Sequence, residues 1–166
     1  MYHFVDESGR FSKTWKGGFA MLIGEYTHSV DTKGRLIMPA KFRDDVGEAF
    51  YITISAVKGQ CLKVYTKDGW DEFFAKVSAI KESDKIAVKY KRTVLANSAE
   101  CCVDKQGRIL IPEQLLRFAD IDKDVTVVGQ GTYIELWNSD KWTSYSLAED
   151  EISEEEFSQH LAMYDL

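Results

Sequence analysis

The chain has 166 residues, an apolar share of 45%, a charged share of 29% and a net charge of −6. That length supports one sizeable core or two small ones. The acidity excludes a general polycation, so any nucleic-acid contact must come from a local basic patch. Cys61, Cys101 and Cys102 show no C-x-x-C spacing, and no apolar run is long enough to span a bilayer. The expectation is a chain with reduced thiols, cytoplasmic, with no membrane partner.

Met1–Ala20 is polar and aromatic without periodicity, and is expected to be poorly ordered. It is either an arm or a stretch upstream of a start at Met21. Gly24–Val30 reads as a strand, Asp31-Thr32-Lys33-Gly34 as a turn, and Arg35–Met38 as the returning strand of a hairpin. Pro39 suits a first helical turn, Ala40–Val46 a short helix, and Gly47 its end. Phe50–Ser55 and Cys61–Thr66 follow as strands around a turn at Lys58-Gly59-Gln60. Asp68 is placed as the cap of a helix through Trp70, Phe73 and Val77.

The order then repeats. Asp31, Gly34, Arg35 and Pro39 recur as Asp104, Gly107, Arg108 and Pro112, all at one constant offset of 73 in the numbering. Glu100–Val103 and Arg108–Ile111 read as strands, Pro112–Phe118 as a helix, and Val125–Val128 and Tyr133–Trp137 as the later strands. Trp142 echoes Trp70 at an offset of 72, as though one loop had lost a residue. Two copies are too few for a solenoid, so the reading is a duplicated half-domain. The expected organisation is an extension over 1–20, a first repeat over 25–67, a helical linker over 68–95, a second repeat over 96–139 and an acidic helical tail over 140–166. The linker is rich in Lys81, Lys85, Lys89, Lys91 and Arg92. The tail carries Glu149, Asp150, Glu151, Glu154, Glu155 and Glu156, with Ile152, Phe157 and Leu161 as apolar anchors.

A turn bearing lysine and arginine can reach phosphates and base edges. Arginine can bond guanine bidentately, and a two-stranded ribbon fits the major groove. Asp31 and Arg35 are expected to pair, holding the guanidinium in one orientation. From Gly24 to Arg43 there are four basic residues, Lys33, Arg35, Lys41 and Arg43, against two acidic ones. From Ser98 to Arg117 three basic residues face three acidic ones. This balance ranks the first copy as the DNA reader and Arg108 as a secondary contact. Asp31, Gly34, Pro39, Asp104, Gly107 and Pro112 set geometry.

Gly24-Glu25-Tyr26, the two Asp-x-x-Gly-Arg motifs with their prolines, Ala99-Glu100-Cys101, Val128-Gly129-Gln130 and Glu135-Leu136-Trp137 together resemble the MraZ family of bacterial transcriptional regulators, of the SpoVT–AbrB class. The likeness covers roughly Met21 to Trp142. It implies an α+β fold of two tandem swapped-hairpin repeats that pair into one pseudo-two-fold β-barrel. It also implies a ring-shaped homo-oligomer that binds double-stranded DNA at short direct repeats in the promoter of its own cell-division and cell-wall operon. There it usually acts as a repressor, associated with the nucleoid. The family's DNA-contacting arginine maps onto Arg35.

Competing readings are weaker. His3, His28 and His160 lack ligand spacing, so no metal or cofactor is expected. Trp70 and Trp142 read as core or interface anchors. No G-x-S-x-G, P-loop or dinucleotide fingerprint is present, so neither an enzyme nor a small-molecule substrate is expected. The rival function is a ring-forming interaction protein without specific DNA binding, and salt dependence separates the two.

Overall fold

The computed structural model describes residues 21–56, 60–147 and 153–164. The elements in order are β1 (Leu22–Ser29), β2 (Arg35–Ile37), α1 (Ala40–Val46), β3 (Ala49–Ile54), β4 (Cys61–Thr66), α2 (Lys67–Ser78), α3 (Lys85–Ala96), β5 (Ser98–Cys102), β6 (Arg108–Leu110), α4 (Glu113–Phe118), β7 (Asp124–Gly131), β8 (Tyr133–Asn138), α5 (Ser139–Leu147) and α6 (Glu154–Ala162). The fold is α+β. Six antiparallel strands run in the order β1-β7-β8-β4-β3-β5, and β2 pairs with β6 in a separate ribbon.

The pairing exposes the duplication. Leu36 faces Ile109, its own counterpart at the offset of 73, and Lys63 faces Glu135, its counterpart at the offset of 72. A pseudo-two-fold axis therefore runs between these pairs. Away from the axis, β1 pairs with β7 just as β5 pairs with β3. Each repeat lends its first strand to the other repeat's sheet. Phe50 and Val125 are equivalent, because they face Cys101 and His28, themselves related by the offset of 73. The offset thus rises to 75 before β7 and falls to 72 at β8. The single lost residue read from the sequence is the net of two loop changes.

This swap corrects the expected local hairpin. β1 and β2 share one isolated bridge, Val30 to Leu36, and their ladders run to the other repeat. The reason is burial. Leu36 and Ile109 are fully enclosed, and pairing β2 with β6 points both into one core. That core is continuous and draws on both halves: Met38 and Ile111, Phe42 and Leu115, Phe50 and Val125. Among the described residues the strand hydrogen bonds form a sheet and a ribbon rather than a closed barrel.

The helix expected from Pro112 starts one residue later, at Glu113, and the cap expected at Asp68 moves to Thr66. Pro39 and Pro112 are N-cap residues with extended backbone, one position before the helix. The cap of α2 is Thr66, whose Oγ1 accepts from the Gly69 N–H at 3.1 Å, with Asp68 inside the first turn. Asn138 does the same for α5, accepting from the Lys141 N–H at 3.1 Å. Trp70 stacks on Tyr51 at 4.9 Å, and Trp142 packs on Trp137 at 5.5 Å, so both anchor their helix to the sheet. The expected turn at Lys58-Gly59 and the expectations for 1–20, Glu149, Asp150, Glu151 and Ile152 lie outside the described residues. No described helix is long and apolar enough to cross a membrane.

Candidate nucleic-acid interface

The two Asp-x-x-Gly-Arg turns share one internal architecture. In the first, Asp31 Oδ1 accepts from the N–H groups of Lys33 (2.9 Å) and Arg35 (3.0 Å), and Oδ2 accepts from Arg35 Nε at 2.7 Å. In the second, Asp104 Oδ1 accepts from Gln106 (2.8 Å) and Arg108 (2.9 Å), and Oδ2 from Arg108 Nε at 2.8 Å. Aspartate thus ties the turn backbone and orients the arginine together. The expected ion pair is present in both copies. The Arg35 N–H holds the Asp31 carboxyl below its ordinary pKa, with the Arg35 side chain and the Lys33 N–H adding. The Arg108 N–H, then its side chain, bring Asp104 down to about 2.

Gly34 and Gly107 close the turns at φ +77° and +76°. Each is stitched to the opposite repeat: the Ile111 N–H donates to the Gly34 carbonyl at 2.9 Å, and the Met38 N–H to the Gly107 carbonyl at 2.9 Å. The ribbon then places both arginines on one face. Arg35 stands opposite Leu110 and Arg108 opposite Ile37. The arginines are diagonal neighbours, about 7–8 Å apart by ordinary sheet geometry. Ile37 and Leu110 are exposed between them. The outward face is a compact pattern of two cations and two aliphatic side chains.

The swap changes the charge map. Arg43 lies over Gly107, in the second turn. A Cβ on Gly107 would come within 2.6 Å of Arg43 Nη2. Nη2 donates to the Met38 carbonyl at 3.1 Å, while Nε is buried without a partner. The counterpart of Arg43 is Leu116, whose Cδ1 lies 3.6 Å from where a Gly34 Cβ would stand. The first turn instead borders a surface cavity of about 420 Å³ that it shares with Glu113, Arg117 and Asp122. Counting charge along the sequence therefore assigns Arg43 to the wrong turn. Lys33 and Lys41 are exposed, at the first turn's tip and in the first turn of α1.

Arg108 approaches Asp104 through Nε and also through Nη2 at 2.7 Å, with 28% of its side chain exposed. Arg35 is 33% exposed. Sequence reasoning missed the shared ribbon face and the bracing position of Arg43. Aligning the repeats on their constant offset sets Arg43 on Leu116, and that signal marks it as a core-facing position. Cys101 lies beside the ribbon, its Sγ donating to the Leu110 carbonyl at 3.6 Å; burial raises Cys61 to about 12 and Cys101 to about 11, so both stay protonated. Among the described residues no cluster of His, Cys, Asp and Glu could hold a metal.

The family model described as "MraZ protein, putative antitoxin-like" matches residues 21–92 and again 94–164. A relative from Caldanaerobacter subterraneus subsp. tengcongensis is 43% identical over 148 residues, spanning 88% of this chain and all of the relative. One from Acetivibrio thermocellus is 43% identical, over 86% of this chain and 98% of the relative. One from Heliobacterium modesticaldum is 40% identical, over 88% of this chain and all of the relative. Each of these relatives is named a transcriptional regulator. With both repeats matched and the relatives covered almost end to end, the chain belongs to the MraZ family.

Proposed function

We propose that this chain is a DNA-binding transcriptional regulator whose β2–β6 ribbon reads DNA through Arg35. The single observation that carries this is the pair of aspartate-oriented arginines on one exposed ribbon face. A guanidinium fixed before binding loses less freedom when it meets a guanine edge. Lys33 and Lys41 neutralise phosphates, and Ile37 and Leu110 supply apolar contact of the kind a thymine methyl accepts. Arg108 is the secondary contact, because its side chain is the less exposed of the two, 28% against 33%. Arg43 braces the second turn.

The finer reading follows from the weakness of one ribbon. A few contacts give modest affinity, and several ribbons held in a ring-shaped homo-oligomer raise the effective concentration at the next site. The targets are short direct repeats in the promoter of the chain's own cell-division and cell-wall operon, and the outcome is repression in the nucleoid. The test is a binding series on DNA upstream of the chain's own gene, with mass measured in the same buffer. Arg35→Ala is expected to lower specific affinity about 10- to 100-fold, the worth of one bidentate contact, with the oligomer intact. Arg108→Ala should lose less, and equal losses would overturn the ranking. Affinity that ignores salt would overturn DNA contact through these cations altogether.

A further inference from the structure

We infer that α6 docks on the basic face of α3 in a second copy of the chain. The inference rests on the self-association proposed above. The starting observation is an unsupported helix. α6 has nine residues and a full capping box, with the Glu156 N–H donating to Ser153 Oγ at 3.2 Å and the Ser153 N–H to Glu156 Oε2 at 3.1 Å. Helices shorter than about 12–15 residues are marginal without tertiary packing. Yet the apolar stripe of α6 and the turn after it, Phe157, Leu161 and Tyr164 at i, i+4 and i+7, is only partly covered: Leu161 is half-buried, while Phe157 is 57% and Tyr164 64% exposed. The sequence from 148 to 166 carries seven Asp and Glu and no Lys or Arg.

α3 presents the complement. Val88 and Val94 face the core. On the outer side Lys85, Lys89 and Arg92 form one exposed stripe. Beside it Ile86 and Tyr90 form another, and Ile86 is 86% exposed, the most of any large hydrophobic described. A face of cations alone would suit a phosphate backbone. A cationic stripe flanking an exposed isoleucine suits an acidic amphipathic helix.

The opposite charges of the two helices point to α6 as the occupant, and the duplication relates them. The family model matches the chain twice, ending once within α3 at position 92 and once just past α6 at position 164. Those two ends differ by 72, the same offset that relates β4 to β8. α3 and α6 are therefore counterparts, one basic and one acidic. Joining α3 of one copy to α6 of the next uses two different surfaces. Such a head-to-tail contact repeats from copy to copy and generates a ring or a filament.

The experiment places a benzophenone photo-crosslinking residue at Phe157 of the full chain and mixes isotopically light and heavy protein. Crosslinks expected are light-to-heavy, landing within Lys85–Thr93. Lys85→Glu with Lys89→Glu should cut their yield several-fold, as should high salt. Crosslinks confined to the same copy overturn the second-copy occupant. An oligomeric mass with no crosslink to α3 overturns this docking and leaves self-association standing. A single-chain mass removes both. If the double substitution abolishes binding to duplex DNA while the crosslink survives, α3 is a nucleic-acid face and the inference fails.

Discussion

The two Asp-x-x-Gly-Arg turns are the same device in different surroundings. Aspartate, glycine and arginine make matching bonds in both, at nearly the same lengths. What differs is the side chain laid against the glycine. The first turn rests on Leu116, and the second on Arg43. The internal geometry is therefore a property of the motif, and each turn's electrostatics and tolerance belong to the partner repeat. A duplicated half-domain that swaps its strands is free to keep one function in the turn and vary its support from the other half.

Alanine at the two glycines sharpens this contrast most. Both sit in the left-handed region, where a Cβ costs roughly 1–2 kcal/mol. At Gly34 the new Cβ would also stand 2.9 Å from the Ile111 carbonyl oxygen, which is fixed backbone. At Gly107 the nearest atoms it would meet are those of the Arg43 guanidinium, which can swing aside. Gly34→Ala is expected to destabilise by about 2–3 kcal/mol, near the top of the range for local strain, and Gly107→Ala by about 1 kcal/mol. Urea unfolding of both variants measures the gap. Equal losses would show that Arg43 is as immovable as backbone.

Much of this was legible in the sequence because it is local. Asp31, Gly34, Arg35 and Pro39 specify a turn and a helix start within one short stretch, and Ala40–Val46 falls where the reading places it. Which strand pairs with which is decided by burial across the whole chain, so β1 with β7 could not be read from either segment alone. The two compensating loop changes hid the register of β7 behind a net offset of one. Arg43 shows the same limit at a single residue. Its charge is visible in the sequence, while its buried Nε follows from the swap.

Arg43→Leu tests that position by copying the other half. A buried donor without a partner costs about 1–3 kcal/mol, and the bond from Nη2 to the Met38 carbonyl returns about 0.5–1.5 kcal/mol. Leucine removes both and keeps a packed side chain over Gly107. The expected outcome is stability unchanged or raised by about 1 kcal/mol in urea, with operator affinity retained. Unchanged stability with a large loss of affinity would make Arg43 a DNA contact instead of a brace.

The smallest effect is the one acid exposes. Both aspartates are held below their ordinary pKa of 3.8, each chiefly by an arginine N–H, and Asp104 lies near 2. A depressed carboxylate stabilises the fold fully above its unfolded value and loses that contribution as pH falls through its folded value. Nothing changes near neutrality. For the second turn the loss runs from 3.8 down to about 2. Carboxyl-carbon NMR should show both midpoints displaced downward, with Asp104, approached by two nitrogens of Arg108, titrating last. As each aspartate protonates, its arginine is released, so the Arg35 Nε–H resonance should lose its hydrogen-bonded shift before that of Arg108. The reverse order would mean that Arg35 is the more tightly held of the two, and would count against ranking it as the reader.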